Sequence, residues 1–313
     1  MNKHILITGA TGMVGKKLIP ILIEKGHQVS VLSRKATRIK DVKVYLWDVY
    51  KSKIDPECLS GIDTIIHLAG ENIAGEKWTA ARKKKIIDSR VLSAQLLYKT
   101  IKEHNAPVKT FISAAAVGYY GDAGDKVLTE ESPNGSGFLA ECCAKWEASA
   151  DQGLSMGIRV VKWRIGVILA KEGGALKAME QPIRYFFGAG LGNGKQWVPW
   201  VHLDDILEMF ILAAENDSYI GAYNAAAAHP VSNITLTKAI AKQLHRPVWP
   251  VNVPEFVLKI ILGELSAVVL SSNNTSAQKL LNTGFKFKYS KLELALADIY
   301  ETKLEEKKQT TPY

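Results

Sequence analysis

Residues 8–15 read Thr8-Gly9-Ala10-Thr11-Gly12-Met13-Val14-Gly15. They follow a short apolar run, His4-Ile5-Leu6-Ile7, and lead into Val14 to Lys25, where Val14, Leu18, Ile21 and Leu22 recur at helical spacing. Glycines so spaced between a strand and a helix suit the diphosphate of a dinucleotide. Gly9 permits the tight turn, Gly12 lets the backbone approach the phosphates, and Gly15 lets the helix pack close to the strand. The amides of the turn, through Thr11, Met13 and Val14, then meet the negative charge at a helix N-terminus. The alternative is a purely structural turn. An NTPase-type phosphate loop is excluded, because it needs Gly at 10 and Ser or Thr at 17, where Ala10 and Lys17 stand.

A second apolar run, Val29 to Leu32, ends in Ser33-Arg34-Lys35. An NAD binder commonly carries an acid here to hold the ribose 2′-hydroxyl, and this chain has none. Ser33 can hydrogen-bond a 2′-phosphate, and Arg34 can pair with it bidentately and stack on the adenine, with Arg38 in support. The pattern favours NADP over NAD; the competing reading is a solvated basic loop from Arg34 to Lys43.

These residues need a frame. Val42 to Trp47, Asp63 to Leu68, Thr110 to Ala115 and Val160 to Leu169 read as further strands. Trp78 to Glu103 reads as a long helix with the stripe Ile87, Val91, Ala94, Tyr98 and Ile101. Strands alternating with helices imply right-handed crossovers and a mostly parallel sheet covered on both faces. From Ala170 to Trp200 the glycines crowd and a loop is expected. Helices are expected again from Asp204, over Thr235 to Leu244, over Val253 to Leu270 and from Leu292, with a polar tail, 303–313, that frays.

At 313 residues and 47% hydrophobic composition the chain can bury a core, and its net charge of +9 suits anionic ligands without selecting one. Cys58, Cys142 and Cys143 form no disulfide framework, and the histidines show no metal-ligand spacing. No signal peptide is visible, and Phe256 to Leu270 is too short and too charged to cross a bilayer. A cytoplasmic protein with no membrane partner is expected. Duplex binding through Arg82 to Lys85 is set aside, because no stacking aromatics interleave that run; a homodimer stays open.

Further segments carry a resemblance. His67-Leu68-Ala69-Gly70-Glu71-Asn72, Asp88-Ser89-Arg90-Val91, Val117-Gly118-Tyr119-Tyr120-Gly121-Asp122, Gly137-Phe138-Leu139-Ala140-Glu141, Gln196 to Asp205, Leu262-Gly263-Glu264 and Thr283 to Phe287 join the glycine turn. Together they resemble the extended short-chain dehydrogenase/reductase superfamily, and within it the group labelled epimerase family proteins. The resemblance implies an α/β fold: a Rossmann-type, doubly wound parallel sheet with a smaller C-terminal substrate lobe. The NADP-binding domain would take 1–169 and about 200–234, and the lobe about 170–199 and 235–313. It also implies that Leu68, Ala69, Gly70 and Glu71 line the cofactor, with Lys85 and Arg90 facing the same region. A solvated Arg82-Lys83-Lys84-Lys85 run competes for Lys85.

The superfamily moves protons with a Ser or Thr after the fifth strand and a Tyr-x-x-x-Lys pair on the next helix. Here Ala115 falls near the serine position. Phe138 or Leu139 takes the tyrosine position, and Cys142 or Cys143 the lysine position. Tyr98-x-x-x-Lys102 precedes the fifth strand and reads as core packing. Tyr120, Tyr119 and Ser113 are the stand-in catalytic candidates. Arg164 is a candidate for a substrate anion, and Trp197 and Trp200 for stacking on a ring or for packing between lobes. The expected activity is that of an NADP-binding, epimerase/dehydratase-like oxidoreductase on a small carbonyl or sugar-like substrate. The alternative is a non-catalytic NADP-binding redox sensor or scaffold, so enzyme status stays open.

Overall fold

A computed structural model describes residues 2–309, with side chains from 2 to 301. The end of the polar tail, expected to fray, lies outside them. In chain order the strands are β1 His4–Thr8, β2 Gln28–Ser33, β3 Lys43–Asp48, β4 Lys53–Ile54, β5 Thr64–His67, β6 Thr110–Ala116, β7 Val127–Leu128, β8 Arg159–Ile165, β9 Val167–Leu169, β10 Trp197–Val198, β11 Trp200–His202, β12 Gly221–Ala225, β13 Val231–Ser232 and β14 Asn274–Thr275. The helices are α1 Met13–Glu24, α2 Ala80–Glu103, α3 Phe138–Asp151, α4 Gly174–Arg184, α5 Leu203–Glu215, α6 Asn233–Gln243, α7 Glu255–Leu262, α8 Ser266–Leu270, α9 Gln278–Leu281 and α10 Leu292–Gln309. The chain divides into two units. One takes the chain up to Tyr119, Ser136–Arg164 and Leu207–Tyr223; the other takes Tyr120–Gly135, Ile165–Ile206 and the chain from Asn224 on.

The first unit is built on a sheet of order β12-β8-β6-β5-β1-β2-β3-β4. The pairs β1–β2, β1–β5, β2–β3 and β5–β6 are parallel, and β3–β4 is antiparallel. Ile5, Leu6, Ile7, Ile65 and Ile66 are wholly buried, as expected of parallel strands covered on both faces. Leu97, Tyr98 and Ile101 of α2 join Leu6, Ile65, Phe111 and Val160 in one core. In the second unit Leu176, Trp200, Leu236, Ile240, Leu296 and Ile299 form the core. Among the described residues, no helix is long and apolar enough to cross a membrane.

Several expectations shift. The long helix begins at Ala80 rather than Trp78, because Thr79 caps it: its hydroxyl accepts from the Arg82 amide at 3.1 Å. Its buried stripe also differs. Ala94, Tyr98 and Ile101 are buried as expected, but Ile87 and Val91 are only partly buried, whereas Ile86, Arg90, Ser93 and Leu97 are buried. The polar members of that face are hydrogen-bonded at the exit of β5, so hydrophobicity alone misplaces it. The strand expected over Val160 to Leu169 is two strands broken at Gly166, where a Cβ would come within 2.3 Å of the Pro199 carbonyl oxygen. The expected loop after Ala170 contains α4, which buries Leu176, Glu180 and Ile183 at helical spacing. The expected helix over Val253 to Leu270 is interrupted at Gly263, whose φ of +58° turns the chain between α7 and α8.

Candidate functional site

The carboxyl ends of β1, β2, β5 and β6 carry the candidate residues of the first unit. At the end of β1, Gly9 has φ +72°, and a Cβ there would lie 2.7 Å from the Leu68 carbonyl carbon and oxygen. A Cβ on Gly15 would lie 2.7 Å from Ala10 Cα and from the Gly9 oxygen. Two backbone approaches thus exclude any larger residue. Gly12 is the N-cap of α1, no side chain caps that end, and no acid stands in its first turn. The turn therefore presents main-chain amides and no carboxylate to an incoming phosphate, which is the cradle a dinucleotide diphosphate requires. Thr11 and Gly12 are exposed, and Met13 and Val14 are partly buried.

The loop after β5 is fixed from behind by a chain of hydrogen bonds through His67, a residue not singled out from sequence. Thr8 Oγ1 accepts from the amides of Leu68 at 3.2 Å and Ala69 at 3.1 Å. Its own proton is then directed to His67 Nδ1 at 2.8 Å. This leaves Nε2 to donate to Ser93 Oγ at 3.0 Å, and Ser93 donates to the Arg90 carbonyl at 2.9 Å. Each proton in the chain has one place, so the imidazole is neutral with its hydrogen on Nε2. Burial is the main cause that pushes its pKa down to about 4; the Arg90 carbonyl pulls the other way and the Arg90 guanidinium adds to the fall.

Arg90 lies under the same loop. Its Nη1 donates to the Ile86 carbonyl at 2.9 Å and its Nη2 to the Glu71 carbonyl at 3.1 Å. The guanidinium also lies over the Trp146 ring, 4.7 Å from its centroid. A Cβ on Gly70 would meet Arg90 Cζ at 3.1 Å, so that glycine lets the loop rest on the guanidinium. Lys85 is exposed on α2. Arg82, expected in a solvated run, is buried: its Nη1 donates to Glu71 Oε2 at 3.1 Å, and its Nη2 donates to the Asn72 carbonyl at 2.5 Å. The sequence signal near it is the capping residue Thr79, which starts the helix so that Arg82 falls in its first turn.

At the end of β2 the Ser33 hydroxyl donates to the Lys35 carbonyl at 2.8 Å, closing a local turn. Arg34 Nη1 donates to Glu71 Oε1 at 2.7 Å. Burial would raise the Glu71 carboxyl, but the hydrogen bonds from Arg34 and Arg82 outweigh it and hold it below the usual range.

The stand-in catalytic candidates differ in setting. Ser113 is buried on β6 opposite His67, and its hydroxyl donates to the Ala114 carbonyl at 2.8 Å. Tyr119 is partly exposed, with the Arg164 guanidinium over its ring at 3.7 Å from the centroid. Tyr120 is buried in the second unit, where its hydroxyl donates to Asn224 Oδ1 at 2.7 Å. Arg164 is itself buried and bonded twice to Glu147, at 2.7 and 3.0 Å, so its charge is committed inside the unit rather than offered to a substrate anion. Tyr98 donates to the Ala150 carbonyl at 2.6 Å and packs on Phe111. On α3, Phe138 meets Trp78 edge-on at 4.8 Å, and burial raises the thiols of Cys142 and Cys143. Trp200 is wholly buried in the second unit's core, with its Nε1 on the His229 carbonyl, so it stacks on no ligand. Trp197 is partly buried and donates to Asp125 Oδ1 at 2.8 Å.

A largely parallel sheet in this order, with a glycine turn after its first strand, defines an NAD(P)-binding Rossmann protein of the extended short-chain dehydrogenase/reductase type. The NAD dependent epimerase/dehydratase family profile matches residues 5–142, and a domain of unknown function, DUF1731, matches residues 253–299. Epimerase family protein YfhF of Bacillus subtilis is 36% identical over 299 residues, covering 95% of this chain and 97% of that protein. The crystal structure of human epimerase family protein SDR39U1 with NADPH superposes with a TM-score of 0.83 at 29% identity, covering 95% of this chain and 99% of that one. UDP-glucose 4-epimerase of Thermus thermophilus in complex with NAD shares the fold, with a TM-score of 0.72 at 17% identity over 95% of this chain and 99% of that one. The chain belongs to the epimerase family proteins.

Proposed function

We propose that this protein binds NADP(H) at the glycine turn and the end of β2, and that it acts as an oxidoreductase or epimerase on a small carbonyl or sugar-like substrate. The observation that carries the cofactor choice is the pair Ser33 and Arg34 at the end of β2. The strand ends in no acid of its own, and the guanidinium is held there by Glu71. The NADPH in the human relative's structure supports the same choice. When bound, the coenzyme supplies or accepts a hydride. The chain's part is to cradle the diphosphate on the amides of Met13 and Val14, with the Gly12 amide closing the turn onto the Gly9 carbonyl, to engage the 2′-phosphate with Arg34, and to keep the loop 68–71 rigid beside it.

A proton must also move in such chemistry. Ser113 and Tyr120 are buried, whereas Tyr119, in the turn after β6, is partly exposed with its ring oriented by Arg164. We therefore assign the proton to Tyr119. A second reading, a non-catalytic NADP-binding sensor or scaffold, draws on one feature: α3 presents Phe138, Leu139, Cys142 and Cys143 where the superfamily places its acid–base pair.

Calorimetry with NADPH and NADH on the wild type and Arg34→Asp tests the cofactor choice. NADPH affinity should fall far more than NADH affinity, and equal losses would remove the 2′-phosphate role. NADPH oxidation across a carbonyl panel separates the two readings. Turnover lost in Tyr119→Phe supports the enzyme, and tight binding without turnover supports the sensor.

A further inference from the structure

One ion pair joins the end of β2 to the loop after β5. Arg34 Nη1 donates to Glu71 Oε1 at 2.7 Å, while Glu71 Oε2 accepts from Arg82 Nη1 at 3.1 Å. The main chain of Glu71 is fixed as well: its amide donates to Ser89 Oγ at 3.0 Å, and its carbonyl accepts from Arg90 Nη2 at 3.1 Å. All three anchoring residues belong to α2. The two ends of the pair are therefore unlike. The Glu71 side chain is 16% exposed and held on every side, whereas that of Arg34 is 71% exposed.

We infer that Glu71 is a specificity-determining positioning residue: it tethers the Arg34 guanidinium at the end of β2, where the 2′-phosphate of NADP would bind. This rests on the proposed NADP reading. An exposed ion pair adds little to stability, so its effect is expected in binding. Glu71 takes one N–H of Arg34 and leaves the Nε and Nη2 edge for a bidentate phosphate contact. A long side chain already held in place loses less freedom when the ligand arrives. A carboxylate near a phosphate would ordinarily repel it. Arg82, itself buried, balances that charge on the second oxygen, with the exposed Glu76 3.7 Å behind it.

Calorimetry with NADPH, NADH and adenosine 2′,5′-bisphosphate on Glu71→Ala, Glu71→Gln, Arg34→Ala and the double variant Arg34→Ala/Glu71→Ala tests this. Glu71→Ala should weaken NADPH and the bisphosphate roughly fivefold, the order of fixing one long side chain, and change NADH by less than about twofold. Glu71→Gln keeps the shape and an acceptor oxygen for Arg34 and should recover part of the loss. Without Arg34, removing Glu71 should have no further effect. Tighter NADPH binding in Glu71→Ala, equal losses for both coenzymes, or a loss that persists without Arg34 would overturn the tether. If Arg34→Ala fails to separate NADPH from NADH, the cofactor reading falls and takes this inference with it. If Arg34→Ala separates them and Glu71→Ala does not, only the tether is wrong.

Discussion

Acidification should cost the fold stability before it protonates most carboxylates, and one buried imidazole accounts for a separable part of the loss. His67 is wholly buried between Thr8 and Ser93, and every hydrogen in that chain is assigned. A second proton would land on Nδ1, where the Thr8 hydroxyl already points its own. The Thr8 oxygen already accepts from the amides of Leu68 and Ala69, so its hydrogen points away from them and toward the imidazole. The folded-state pKa is depressed to about 4, against 6.5 for the exposed side chain. Between these values the unfolded chain binds a proton that the folded one refuses, so stability rises with pH across this window. The contribution is complete above pH 6.5 and is lost as the pH falls toward 4. The loss amounts to about 1 kcal/mol at pH 5.5 and about 3 kcal/mol at pH 4, on the basis of 1.36 kcal/mol per pKa unit. His4 and His202, also depressed by burial, add to the same slope, so the residue must be isolated. Urea unfolding of wild type and His67→Gln at pH 7.5, 5.5 and 4.5 does this, because the difference between the two pH dependences belongs to His67. Proton-detected titration of the imidazole should show no protonation above pH 5. An imidazole titrating near 6.5, or identical pH slopes in the two proteins, would refute the closed hydrogen-bond chain.

Other outcomes follow from the same geometry. Gly15→Val should cost about 2–3 kcal/mol and weaken NADPH binding, because its Cβ meets main-chain atoms of Gly9 and Ala10 at 2.7 Å; thermal melts and calorimetry read both effects. Tyr120→Phe leaves Asn224 Oδ1 without its phenol donor and should lower stability by about 1–2 kcal/mol with NADPH affinity unchanged. Full stability with lost turnover would instead make Tyr120 the acid. Tyr98→Phe should cost about 1 kcal/mol by removing the phenol's bond to the Ala150 carbonyl, and should leave turnover untouched in a steady-state assay.

The first unit's frame was readable because its signals are local. The glycine turn lies between β1 and α1 at the expected residues, and β2 ends at Ser33 as the apolar run implied. Gly26, with φ +88°, turns the chain at the end of α1. The second unit was less readable. α4 begins at a glycine and contains Pro182, both of which argue against a helix, yet burial of Leu176 and Ile183 outweighs them. The run from Val253 to Leu270 keeps one helical pattern through a residue whose left-handed φ breaks it.

The site's supporting residues were hidden for a different reason. A hydropathy pattern treats buried and polar as opposites, whereas Arg82, Arg90, Ser93 and His67 are both, because each finds partners in the loop or strand it supports. Satisfied polar groups cost little to bury, and they fix one geometry where apolar contacts would tolerate several. The expected stripe holds at Ala94, Tyr98 and Ile101, but its first part, through Ile87 and Val91, is displaced by one residue because the side of α2 facing the loop is the side that can hydrogen-bond to it. The same reasoning separates the two arginines bonded to Glu71. Arg82 is held in place by a capped helix and two acceptors, whereas Arg34 is held through Glu71, so a change in α2 should reach the proposed 2′-phosphate contact only by way of that carboxylate.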